Sequence, residues 1–214
     1  MPAKKLILEK IKQVKTLPFP SKLLTCKFDR LTYNLLPLTH ESVKDKNVVK
    51  LLARWRKKHE FWFQSQFKVT DKGTKIWLQK KVIDTPDRIL FLIKADGKYI
   101  GHVGFFRFNF KDLTCEIDNV VRGELHYPGI IGNALEHLMA WGKKKLFLNS
   151  YTLETTSDNQ RAIKLYTRLG FVEDKRIPLI YVKRKDFSEW IKAAKDHKKE
   201  IKRYNIFMKF GSQP

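Results

Sequence analysis

The stretch that most constrains this chain is 151–171, YTLETTSDNQRAIKLYTRLGF. Residues 151–156 read as a strand, and Ser157-Asp158 as a polar turn. A helix opens near Asn159, with Ser157 or Asp158 able to cap its first-turn amides. Ala162, Ile163, Leu165, Tyr166 and Leu169 supply its apolar positions. Gly170 stops it in the left-handed region and Phe171 begins the next element. A strand, a turn and a helix that hands over to another strand call for an α/β architecture. Periodicity alone does not say which one.

The upstream order narrows the choice. Residues 31–39 read as a strand broken near Pro37, and 45–59 as a helix with Val48, Leu51, Leu52 and Trp55 on one side. Phe61-Trp62-Phe63 follows and reads as core, since aromatics dominate cores by area; the alternative is a pocket wall. Thr70-Asp71 caps a helix expected over 72–81. Asp96-Gly97 between apolar runs marks a hairpin joining 88–94 to 99–110. A third run, 114–121, completes a meander. On an ideal strand Glu116, Asp118 and Val120 share one face, and Cys115, Ile117, Asn119 and Val121 the other. Buried acids there need partners, while a solvated outer face would need none. Residues 122–132 form a turn-rich loop that enters a helix over 131–145, where free backbone amides could meet a phosphate. Strands follow at 172–179, interrupted at Pro178, and at 180–184.

The ends stand apart. Residues 1–24 read as a basic amphipathic extension that packs on the protein's own body, with a weak peripheral membrane contact as the alternative. Residues 185–214 read as a basic helical extension carrying Trp190, Ile191 and Ala194. No apolar run is long enough to span a membrane. Cys26 and Cys115 lack metal spacing and read as free thiols in a reducing cytoplasm; no metal is expected. With 44 basic against 22 acidic residues the net charge is +22. That suits a phosphate-bearing partner as well as it suits plain solubility. Lysine tracts such as Lys143-Lys144-Lys145 and Lys198-Lys199 read as solvated helix faces, and no nucleic-acid signature appears.

The whole order, with Asn159-x-x-Ala162-x-x-Leu165-Tyr166-x-x-x-Gly170-Phe171 after strand Leu153-Glu154, resembles the GNAT acetyltransferase superfamily over about residues 31–184. The resemblance implies a GNAT fold in domain 25–184. Its mixed, mostly antiparallel sheet would be splayed at an acetyl-CoA cleft, with helices on both faces. It implies acetyl-CoA as co-substrate and direct transfer to a primary amine. Tyr166 would protonate the departing thiolate, and Glu154, Asp118 or Glu116 would accept the amine proton, directly or through water. Val120 and Val121 would bond the pantetheine arm, which Asn159 and Ala162 would line. Arg122, Gly129, Ile130, Ile131, Gly132, Asn133 and Ala134 would hold the pyrophosphate. Here the chain departs from the family pattern. Tyr127 stands where Arg or Gln is usual and Ile130 where Gly is usual, while Gly132 is kept. Either Gly129 gives the close approach one residue early, or CoA binding is weakened, and Arg122 is the candidate for the missing charge.

The aromatic patch, the Trp-bearing second helix and the degenerate glycine loop are similar to acetyltransferases of nucleotide-linked amino sugars, including the pseudaminic-acid pathway type. That likeness makes Trp62 and Glu116 candidates for substrate contact. Other acceptors are a protein N-terminus, a lysine or a small polyamine. A non-catalytic module binding nucleic acid is the rival from a different class. A monomer and a homodimer both remain open.

Overall fold

The computed structural model describes residues 2–198 and 200–210. Met1 and residues 211–214 of the two expected extensions, and Lys199 of the Lys198-Lys199 tract, lie outside the described residues. Helix α1 (Pro2–Lys15) buries Ile7, Ile11 and Val14 against the body, as its spacing predicts. Its last residue, Lys15, is buried and donates to the carbonyls of Val82, Ile83 and Thr85 at 2.9, 3.0 and 2.6 Å. Strand β1 (Leu24–Phe28) turns over Asp29-Arg30 into β2 (Leu31–Pro37). Helix α2 (Lys46–Lys58) is capped by Asp45, whose carboxylate accepts from the amides of Asn47 and Val48. A 3-10 turn (Glu60–Trp62) leads to the short β3 (Ser65–Phe67). Thr70 caps α3 (Asp71–Trp77), and the expected helix then widens into a π turn over Leu78–Ile83.

The meander is β4 (Ile89–Ala95), β5 (Lys98–Asn109) and β6 (Thr114–Arg122), with Asp96-Gly97 at the hairpin tip. Helix α4 (Ile130–Leu146) leads to β7 (Ser150–Thr156), α5 (Gln160–Arg168) and β8 (Phe171–Lys183). Gly170 takes φ +91° between α5 and β8, the left-handed stop its position predicts. Last come β9 (Phe187–Lys192) and β10 (Arg203–Phe210). The ten strands among the described residues form one sheet in the order β1-β2-β4-β5-β6-β7-β10-β8-β9-β3. Every neighbour pair is antiparallel except β6 and β7.

Apolar side chains fill both faces of the sheet. On one, α1 and α4 cover Phe91 and Phe105 with Ile7, Ile11, Leu135 and Leu138. On the other, α2 and the π turn cover Leu90 and Leu92 with Leu52, Trp55, Leu78 and Val82. Strand β4 is buried on both sides, which accounts for its unbroken apolar run. Cys26 and Cys115 are buried and unbonded. No helix among the described residues is long and apolar enough to cross a membrane.

Four expectations are corrected. The tail is not helical: Trp190 and Ile191 lie on β9, and β10 enters the sheet between β7 and β8. Pro178 does not interrupt β8, because it lies where the strand passes from pairing with β10 to pairing with β9. Phe61 and Trp62 are not core but remain 53% and 41% exposed, since a tight turn lifts them off the sheet. Neither Ser157 nor Asp158 caps α5. The Asn159 side chain does, accepting from the Ala162 amide at 3.2 Å, while Ser157 accepts from Tyr204 N–H and Asp158 pairs with Arg203.

Candidate active site

The site begins where β6 and β7 part. Their parallel ladder runs from Thr114 opposite Ser150 to Ile117 opposite Leu153 and goes no further. Two things pull the strands apart. On β6 a bulge intervenes: His102 faces Val121 but Gly104 faces Asp118, and Asn119 takes φ +50°. On the other side β7 is held by β10 out to Thr156. The bulge is locked by His102, whose Nδ1 lies 2.6 Å from the Asn119 carbonyl. Burial pulls this imidazole down to about 4, so it is neutral and Nδ1 must be the donor to that oxygen.

The bulge corrects the expected alternation. Cys115 and Ile117 pack with the α1–α4 core, and past Asn119 it is Val120 that joins them while Val121 joins the α2 core. Val121, not Val120, therefore shares a face with Glu116 and Asp118.

On that face Arg107 draws two carboxylates together. Its Nη1 donates to Glu116 Oε2 at 3.0 Å and to Glu154 Oε1 at 3.1 Å. Glu154 Oε2 also accepts from Asn205 Nδ2 at 2.7 Å. Desolvation raises Glu116 to about 7, opposed by Arg107 and reinforced by Glu154. One guanidinium serves two acids, so with both ionised the three groups carry one net negative charge. Asp118 does not join it. Both its oxygens are held by Arg88 at 2.6 and 3.1 Å, and Asn119 Nδ2 donates to it at 2.7 Å. A carboxylate so fully engaged is a structural partner of Arg88, not a free base.

The opposite face carries Tyr166. Its ring meets Phe171 edge-on at 6.2 Å and the residue is buried. Burial alone raises its pKa, so the phenol stays protonated and can only give a proton away.

The loop before α4 approaches α5. Gly129 takes φ +95° as the helix's N-cap, and a Cβ there would lie 2.7 Å from Phe28 Cζ. Ile130 and Ile131 turn their side chains into the core. Ile130 N–H donates to Tyr127 O at 3.2 Å, which leaves the helix-start amides of Ile131 and Gly132 to offer to a ligand. Ala134 is core, and Asn133 is tied back to β2 by the Tyr33 hydroxyl at 2.7 Å. Arg122 braces the loop through the carbonyls of Glu124, Leu125 and His126. The Tyr127 hydroxyl donates to Asp96. Burial, and after it the charge of Arg161, pulls the Arg122 guanidinium below its ordinary value. Asn159 spends its side chain on the α5 cap, and Ala162 sits partly buried beside it. Trp62 stands half exposed beside Phe61, ring centroids 4.9 Å apart.

Sequence reasoning singled out Glu116 and Glu154, which the structure brings together, and Tyr166, which it places on the opposite face; it did not single out Arg107, Asn205 or Arg161. Arg161 lies inside the Asn159–Ala162 motif and could have been read there. Arg107 reaches the acids from a residue with φ +50° inside a strand, and Asn205 from a strand inserted out of sequence order. Neither leaves a local signal.

The model of the acetyltransferase (GNAT) family matches residues 52–171. Spermidine N(1)-acetyltransferase of Escherichia coli strain K12 is 24% identical over 111 residues, 52% of this chain and 59% of that protein. The Vibrio cholerae protein of the same name is 22% identical over 114 residues, 53% of this chain and 65% of that one. The match thus spans under two thirds of these relatives. Among solved structures, Vibrio cholerae spermidine N-acetyltransferase with CoA and spermine has a TM-score of 0.59 at 14% identity, covering 83% of this chain and 95% of that one. The Salmonella typhimurium acetyl transferase that modifies the N-terminal serine of ribosomal protein L7/L12 has a TM-score of 0.56 at 14% identity, covering 86% and 97%. At such identities the structural likeness is one of fold.

Proposed function

The chain belongs to the acetyltransferase (GNAT) family, and from that premise we propose that it transfers an acetyl group directly from acetyl-CoA to a primary amine, the amino group of a nucleotide-linked amino sugar. The observation that carries the transfer reading is the Arg107-bridged pair Glu116 and Glu154 at the parting of β6 and β7. Two carboxylates against one guanidinium favour an incoming ammonium. A carboxyl held near neutrality is suited to take the proton that ammonium must lose before it attacks.

In this mechanism Glu116 is the base, directly or through one water, and Glu154 orients the amine. Glu116 replaces Asp118, which Arg88 occupies. Backbone amides around Val120–Arg122 polarise the thioester carbonyl. Tyr166 protonates the departing thiolate from the far side of the sheet. The free amides of Ile131 and Gly132, with Arg122 and Arg161, meet the pyrophosphate. Of the loop candidates, Asn133 drops out and Ile130 acts only as packing. No covalent intermediate is required, and the setting is cytoplasmic.

The polyamine reading draws on the spermidine acetyltransferases among the relatives and on the same ammonium-favouring acids. A thiol-release assay with acetyl-CoA separates the readings, run on nucleotide amino sugars, spermidine and an N-terminal peptide. Turnover confined to the first supports the proposal. Turnover confined to spermidine replaces the acceptor. Absence of transfer to every amine, with salt-sensitive nucleic-acid binding, sinks the enzyme reading.

A further inference from the structure

A second polar constellation lies on the face of the sheet that carries Glu154, and the transfer chemistry leaves it unused. Arg203 opens β10 two residues before Asn205, so both side chains leave the strand on one face about 7 Å apart. Arg203 is only 2% exposed. Its Nε and Nη2 each reach the Asp158 carboxylate at 2.9 Å, and Nη2 also donates to the Phe61 carbonyl at 3.2 Å. The guanidinium lies against the rings of Phe61, at 4.8 Å, and Trp190, at 4.6 Å. Its Nη1 is buried without an acceptor among the described residues, and so is Trp190 Nε1.

Nearby, Trp190 N–H donates to the Gln64 carbonyl at 2.8 Å, and Arg56 Nη2 donates to the carbonyl of adjacent Ser65. Arg56 Nη1 is a third buried donor without an acceptor. Burial pulls Arg56 down to about 10, with Glu60 opposing. Donors of one polarity, buried and unanswered, are costly unless an acceptor arrives. Of the acids beside them, Asp158 is held by Arg203 and Glu189 by Arg184, while Glu60 stands exposed on the 3-10 turn. A second ammonium on the acceptor would find no unpaired carboxylate against Arg203, whereas an anionic oxygen would find donors.

We propose that Arg203 Nη1 and Trp190 Nε1 form a subsite for an anionic group of the acceptor, a phosphate or a carboxylate, about 7 Å along β10 from Asn205, which holds the amine-orienting Glu154. The assignment of that group to the acceptor rests on the transfer reading above; the subsite itself does not. Phe61, half exposed on its 3-10 turn, covers one face of the guanidinium.

The test is calorimetric titration of inorganic phosphate, and separately of succinate, into protein saturated with CoA so that the cofactor's own phosphate sites are filled. Trp190→Phe keeps a ring on the guanidinium and removes one donor. Arg203→Met breaks a buried pair and is at risk of not folding, so Trp190→Phe decides. The expected result is binding of at least one anion to the wild type, weakened about tenfold in Trp190→Phe, as for loss of one charge-assisted bond. The tighter anion names the source: phosphate for a phosphorylated acceptor, carboxylate for an amino-acid-like one. Absence of binding, or equal affinity in Trp190→Phe, overturns the proposal. Anion binding that obeys the prediction while no amine releases thiol would instead retire the transfer reading and leave the subsite standing.

Discussion

In the proposed transfer, two side chains on opposite faces of the sheet divide the chemistry between them. Tyr166, protonated because it is buried, has no charge or hydrogen bond acting on its phenol. Tyr166→Phe therefore keeps the packing against Phe171, and is expected to lower kcat about a hundredfold while acetyl-CoA affinity, measured by calorimetry, changes little. Glu116 works the other way. Its folded pKa of about 7 lies above the ordinary 4.5, so the native state holds more protons than the unfolded chain between those values. The contribution of this group to stability therefore falls as pH rises through that window. Glu116→Gln imitates the acid form, and its melting temperature relative to wild type should climb from about pH 5 to about pH 8. In the wild type kcat/KM should rise with pH through about 7 as the carboxylate ionises, and that limb should vanish in Glu116→Gln. A Glu116→Gln enzyme with the wild-type pH profile would remove Glu116 from the mechanism.

Elements differ in how openly the sequence declares them. Helix α2 and the β4–β5 hairpin are legible because apolar spacing and Asp96-Gly97 point the same way. Strand β1 is not, since its Asp29-Arg30 turn carries no glycine to mark it. The tail misleads, because Trp190, Ile191 and Ala194 fall at helical spacing while strand pairing with distant partners decides the outcome. The bulge at Asn119 is invisible in a sequence, yet it reverses which valine faces the acids. Glu116, Glu154 and Tyr166 were readable as types of residue at known positions; their coupling through Arg107 and Asn205 was not, because tertiary pairing creates it. Helix α1 provides an element-scale test. Lys15 gives its ammonium to three carbonyls at the end of the π turn. Lys15→Met leaves them without that donor and should cost about 2 kcal/mol in urea unfolding, with α1 loosening from the π turn first.

At the scale of the whole molecule the sheet depends on β10. It is the one strand that ties β7 to β8, and it carries Asn205 to Glu154 and Arg203 to Asp158. Deleting residues 203–210 should abolish cooperative thermal unfolding followed by near-ultraviolet circular dichroism. It should not merely lower the midpoint, as loss of a helical appendage would. The same placement has a consequence in time. Strand β10 is synthesised after both of its neighbours, so a nascent chain that already holds β7 and β8 presents two open edges facing each other. Until β10 leaves the ribosome those edges can recruit strands from other chains, and the cleft is incomplete. Slow translation through the lysine-rich segment before β10 would lengthen that exposure.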